Sequence, residues 1–262
     1  VPIIDHADVR RMLLAQKAYS EGGLALCLYG ARLMDDQHTH PDDQKRMEAG
    51  KLLDLLTPVI KAWPSEYGPK ANDLAIQVYG GAGYTREYPV EQCWRDNRLN
   101  PIHEGTNGIQ ALDLLGRKIW QDQSHGLQLL MQEMQADLQA ATTERCQQWA
   151  LSLSETLQQA VKVTQSLGKS LMGGEVDKTL ANASCYLHLF GHIIVAWMWL
   201  RQANASANAL ASANSDSERN FYQGKLQAAQ YFFHWELPTV AQDLVLLRNQ
   251  DDTCLNMKAD WF

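Results

Sequence analysis

The sequence predicts an all-α chain: one helical bundle over residues 1–120 and a second over 121–262. Three observations carry that expectation. Apolar residues recur three and four apart over long runs, the signature of a helix with one buried face. No stretch shows the two-residue alternation of a half-buried strand. Near Gln121–Ser124 the composition changes, with Gln and Ala becoming frequent and Gly and Pro rarer, which places a domain boundary there.

The chain is long enough for a sizeable core: 262 residues, 45% hydrophobic and 20% charged. Its net charge of -7 argues against nonspecific nucleic-acid binding, which needs clustered Lys and Arg. Five scattered cysteines without a CxxC pair point to neither a zinc site nor a disulfide framework. A reducing, cytoplasmic setting is the simplest expectation. The start at Val1, without Met or a signal pattern, suggests a fragment of a longer protein. Thr179–Leu200 carries no charge and is about long enough to span a bilayer. Its Asn182, Ser184, His188, Gly191 and His192 favour a buried core helix, so no membrane span is expected.

In order, Asp5 and Asp8 suit a helix start, and Val9 to about Met34 reads as the first helix. Asp35–Asp43 reads as an acidic loop, where His38 and His40 lack any fixed geometry for a metal. A second helix runs from Pro41 to Trp63, kinked at Pro58 and ended by Pro64. Ser65 is expected to cap a third helix, which closes at Gly80-Gly81-Ala82-Gly83. Pro89–Asn97 gives a short helix, and Thr106 or Asn107 caps the next. Further helices are expected over Gln128–Ala141, Cys146–Met172, Val176–Ala203 and Glu218–Asn249, with a bend at Pro238. Gly173-Gly174 and the Ser/Asn/Ala-rich Asn204–Ser217 are the connections. His188 and His192, at i and i+4, and the aromatic group Trp197, Trp199, Tyr222, Tyr231, Phe232, Phe233 and Trp235 read as packing.

The chemistry concentrates in Gln77–Arg117. The glycines at 80, 81 and 83 are either a helix C-cap or a turn whose N–H groups approach an anionic ligand. Without a preceding strand or GxGxxG spacing, they are not a Rossmann turn. Glu104, just before a helix start, has three readings: a cap on the helix dipole, a metal ligand without partners, or a general base. The base needs burial to raise its pKa, and Ile102, Gly105 and Ile109 permit that burial.

The order Gln-x-x-Gly-Gly-x-Gly-Tyr, Arg-Asp-x-Arg and Ile-x-Glu-Gly-Thr-Asn resembles the C-terminal part of the flavin-dependent acyl-CoA dehydrogenases. The likeness covers about Ile3–Trp120, and residues 121–262 resemble the helical extension of larger bacterial members of the 3-methylmercaptopropionyl-CoA dehydrogenase type. The resemblance implies a four-helix C-terminal domain with Glu104 as the base that removes the α-proton of an acyl-CoA thioester. It implies FAD contacts from Gln77, Gly80 and Gly81 across a subunit interface, an FAD contact from Thr106, and a substrate contact at Gly105. It further implies electron-transfer flavoprotein as electron acceptor and a homodimer or larger assembly. His103 and Gly108 depart from the family pattern, and the family's N-terminal helical and central β-domains are missing. The chain alone is therefore expected to lack FAD and turnover. The competing expectation is a non-catalytic helical oligomerisation or binding module that retains the motif.

Overall fold

The structure, a computed structural model, describes all 262 residues and contains helices and no strand. α1 (Ala7–Thr39) and α2 (Asp43–Tyr79) form a long hairpin. α1 runs through most of the expected acidic loop. There the Thr39 hydroxyl donates to Asp35 O at 2.8 Å and His38 Nδ1 lies 2.8 Å from Met34 O, so side chains occupy the last-turn carbonyls. Asp42 then caps α2 by accepting from Gln44 N at 2.8 Å.

α2 corrects the expectation of two helices meeting at Pro64. It continues through Pro58, Pro64 and Pro69 to Tyr79. Each proline removes an N–H, but Pro58, Trp63, Tyr67 and Pro69 are buried, so tertiary packing outweighs local propensity. Ser65 is no cap: its hydroxyl donates back to the carbonyls of Lys61 and Ala62. Gly80, at φ +62°, ends the helix. α3 (Val90–Asn97) and α4 (Asn107–Gly116) follow.

α5 (Gln121–Gln139) opens with Asp122, Gln123 and Ser124 in left-handed conformation, at φ 49°, 56° and 63°. α6 (Glu144–Met172) is capped by Thr143, which accepts from Cys146 N at 3.3 Å. The helix expected over 176–203 is two, α7 (Val176–Leu180) and α8 (Ala183–Leu210). They part at Asn182, whose amide instead donates to Asp251 O at 2.6 Å. α8 also claims residues 204–210 from the expected connection, because Ala203 and Ser206 are buried and Asn204 donates to Asp137 O. α9 (Asp216–Tyr231) starts at a reciprocal cap: Ser215 accepts from Glu218 N, and Glu218 accepts from Asn214 N. The chain then widens into one π turn (Phe232–Glu236) and tightens through Pro238 before α10 (Ala241–Asn249), the bend that proline predicts.

α8 is the centre of the molecule. By length and composition it could cross a membrane, yet 83% of its apolar window is buried by neighbouring helices. One apolar core draws on α1, α2, α4, α5, α6, α8, α9 and α10. Indoles seat on helix glycines across it. A Cβ on Gly22 would come within 2.7 Å of Trp199 Nε1, one on Gly191 within 2.9 Å of Trp63 and one on Gly168 within 2.8 Å of Trp120. Each is closer than a real Cβ tolerates, so the glycines set the helix separation. Of the aromatic group expected to be core, Trp197, Trp199, Tyr231, Phe232 and Phe233 are buried, while Trp235 is exposed.

Candidate active site

The loop between α3 and α4 carries Glu104 and is strapped to α2. Lys61 Nζ donates to Asn100 O at 2.9 Å, and Asn97 Nδ2 donates to Asn72 Oδ1 at 2.9 Å. Asn107, the first residue of α4, donates its amide to Glu66 at 3.3 Å, and its N–H donates to Pro101 O. Gly68 leaves room for this strap, since a Cβ there would meet Asn97 Nδ2 at 2.7 Å. Glu104 itself has φ +44° and Gly105 φ +80°. A left-handed glutamate costs energy that the surrounding bonds must offset, and such strain gathers at functional sites. At Gly105 the positive φ favours glycine, and a Cβ there would meet only the movable end of Gln110, at 2.8 Å from Nε2.

The Glu104 side chain is 84% exposed, so the burial that its neighbours' residue types permit is not supplied within this chain. Ile102 and Ile109 are exposed as well, as is Leu112 on the next turn of α4. The chain's own helices cover only the inner face of α4, through Ala111, Leu114 and Leu115, and nothing in the chain lies over the outer one. Glu104 does not cap the helix, as its carboxylate accepts no backbone N–H; Thr106 holds the N-cap position, without a side-chain hydrogen bond. His103 Nε2 lies 3.8 Å from the carboxylate. A cleft of about 400 Å³ runs along this loop, lined by Lys61, Ser65, Asn97, Asn100, His103 and Glu104 among others.

Gln77, Gly80 and Gly81 are exposed at the end of α2, and Thr106 is exposed at the start of α4. A Cβ on Gly80 or Gly81 would meet nothing within 4 Å, so the backbone there is open to a close ligand. No group of three His, Cys, Asp or Glu side chains is arranged to hold a metal.

Two family models match, acyl-CoA dehydrogenase C-terminal domain over residues 1–119 and acetyl-CoA dehydrogenase C-terminal like over 130–258. The chain belongs to the acyl-CoA dehydrogenase family. It corresponds to the family's C-terminal helical region. It is 32% identical to the broad-specificity linear acyl-CoA dehydrogenase FadE5 of Mycobacterium tuberculosis, over 98% of this chain and 43% of that protein. It is also 32% identical to the 3-methylmercaptopropionyl-CoA dehydrogenase of Ruegeria pomeroyi, over 88% of this chain and 39% of that one. The chain thus spans about two-fifths of the relatives' length. Among solved structures, an acyl-CoA dehydrogenase from Bacillus anthracis complexed with FAD aligns over 94% of this chain and 43% of its own, with TM-score 0.70 and 18% identity. ACDH-11 of Caenorhabditis elegans, in complex with C11-CoA, aligns over 85% of this chain and 35% of its own, with TM-score 0.67 and 21% identity. At those identities the likeness establishes the fold.

The sequence reading missed the residues that hold the loop: Lys61, Glu66, Asn72 and Asn97. Their only signal is polarity on a helix face, which any solvated helix shares.

Proposed function

We propose that this chain is the helical half of an FAD-dependent acyl-CoA dehydrogenase in which Glu104 takes the α-proton of an acyl-CoA thioester. The observation that carries the reading is the left-handed Glu104-Gly105 pair, held outward on an uncovered apolar face at the start of α4. A carboxylate so exposed is a weak base toward a carbon acid. Its task requires water to be excluded, and the exposed Ile102, Ile109 and Leu112 supply the apolar face against which further protein would close. The Glu104 carboxylate takes the proton while its own N–H donates to the thioester carbonyl, so base and oxyanion donor sit on one residue. Gly105 leaves the thioester room beside that N–H. Gln77, Gly80, Gly81 and Thr106 would hold FAD, the open glycines receiving its phosphates and Thr106 presenting a hydroxyl with no intramolecular cap to break. The flavin supplies the acceptor for the β-hydride.

Electron-transfer flavoprotein is the acceptor this reading expects. A homodimer is its simplest assembly, since Leu24 and Leu28 leave an exposed apolar patch on α1. The test is flavin reduction in the protein that also carries the upstream domains. Glu104→Gln should retain fold and flavin while slowing bleaching by a saturated acyl-CoA by about 10²–10⁴-fold. An unchanged rate would overturn the assignment.

A further inference from the structure

A second cluster of titratable groups lies at the seam between α2, α8 and α10, away from Glu104. His188 Nδ1 is 2.6 Å from Asp243 Oδ2, and His188 Nε2 is 3.0 Å from the Tyr67 hydroxyl. The same hydroxyl is 3.1 Å from His192 Nε2, and His192 Nδ1 is 3.0 Å from His188 O. A carbonyl only accepts, so His192 carries its hydrogen on Nδ1. Burial pushes the His192 pKa down to about 3, helped by the neighbouring His188, so the ring is neutral and its Nε2 is an acceptor. Tyr67 must therefore donate to His192. Having only one hydrogen, Tyr67 can then only accept from His188, which places a hydrogen on His188 Nε2. The remaining contact, His188 Nδ1 to Asp243, needs a hydrogen as well. Neutral histidines, a neutral tyrosine and an ionised aspartate hold three hydrogens between them, and the four contacts use four.

We propose that the Asp243–His188–Tyr67–His192 chain stores one extra proton, shared between His188 and Asp243, and that this proton fastens α8 and α10 to α2. The arrangement suits such storage. The Asp243 side chain is 14% exposed and its charge balances the imidazolium. The charged and titratable groups around it are Glu66, Tyr67 and Lys70 on α2, Cys185 and His192 on α8, and Asp243 on α10, with Glu236 and Cys254 farther out. Lys70 Nζ lies over the Tyr67 ring at 4.1 Å and its charge is balanced by Glu66 at 3.2 Å, leaving Asp243 as the counter-ion for His188. Without the stored proton, one of the two contacts at Tyr67 has two acceptors and no hydrogen, and a ring nitrogen is left without its partner.

The test is nitrogen-15 NMR of the histidine rings in the 262-residue chain at pH 7. His188 should show both nitrogens protonated, and His192 should show Nδ1 protonated and Nε2 bare. Assignment comes from the signals lost in His188→Gln or, if that variant does not fold, from ring contacts to Tyr67. Tyr67→Phe should remove the second His188 N–H. As the pH is raised until that hydrogen is lost, amide protection in α8 and α10, corrected for intrinsic exchange, should fall at least tenfold. A singly protonated His188 at pH 7, or protection that does not change when the second hydrogen leaves, would overturn the proposal.

Discussion

Trp199→Ala tests whether the two halves of the chain stand or fall together. Trp199 is fully buried on α8, and its Nε1 donates to Ala18 O on α1 at 3.1 Å. Its indole fills the space that Gly22 leaves open. Truncating a buried Trp costs about 3–5 kcal/mol through lost transfer and an unfilled cavity. The vacated site is walled by α1 and α8 backbones that the glycine already holds at close range, so collapse is limited and the upper part of that range applies. With a urea slope near 3 kcal/mol per M, the midpoint should fall by about 1–2 M. Far-UV circular dichroism and near-UV tryptophan signals should report one coincident transition before and after the change. A midpoint shift below about 0.3 M would refute the packing argument. So would a second transition appearing alone, which would mean the seam is not shared core.

Four further outcomes follow from the same structure. Lys118 is buried and bonded to the half-exposed Asp54, so Asp54→Ala should cost about 1–3 kcal/mol in urea unfolding, below the value for a fully buried pair because water reaches the aspartate. Glu21 gains pKa from burial but loses more to Lys17 and Lys225, a net depression, so its stabilising contribution is present above the unfolded carboxylate value of about 4.3 and is lost as pH falls through the folded one. Glu21→Gln should flatten that part of the acid limb in a pH series of thermal melts. His192 is held neutral with its pKa near 3, so stability should also fall as pH drops from about 6.5 toward 3, by up to ~1.4 kcal/mol per pH unit, with a shallower slope in His192→Gln. The chain purified alone should be colourless, because Gln77, Gly80, Gly81 and Thr106 are all exposed surface positions, and a yellow protein with one FAD per chain would contradict that.

The sequence was readable where period and punctuation agree. The helix end at Gly80 follows from a residue acting within its own turn, whereas the caps at Asp42 and Ser215 lie in stretches that read as loop and connection. It misled where tertiary contacts decide. Pro64 signals a break, yet the stacked Trp63 and Tyr67, 4.3 Å apart and buried against α8, carry the helix through. Residues 204–210 look like a linker, yet Asn204 and Ser206 find partners or cover in the fold. At the candidate site, Glu104 was legible only through its resemblance to a family, since one carboxylate before a helix most often serves the dipole. Its exposure was not legible, because apolar neighbours such as Ile102 and Ile109 permit burial without requiring it, and both are themselves exposed. The Asp243–His188–Tyr67 chain left no trace in spacing, as its members lie 55 and 121 residues apart.

The central claim is that Glu104 removes a proton from the carbon next to a thioester. The measurement that isolates this step is hydrogen exchange at that carbon in deuterated buffer, followed by mass, using an acyl-CoA with the upstream-complete protein. The unmodified protein should exchange the α-hydrogen, and Glu104→Gln, with its flavin still bound, should not. Exchange that continues at the original rate in the glutamine variant would contradict the account.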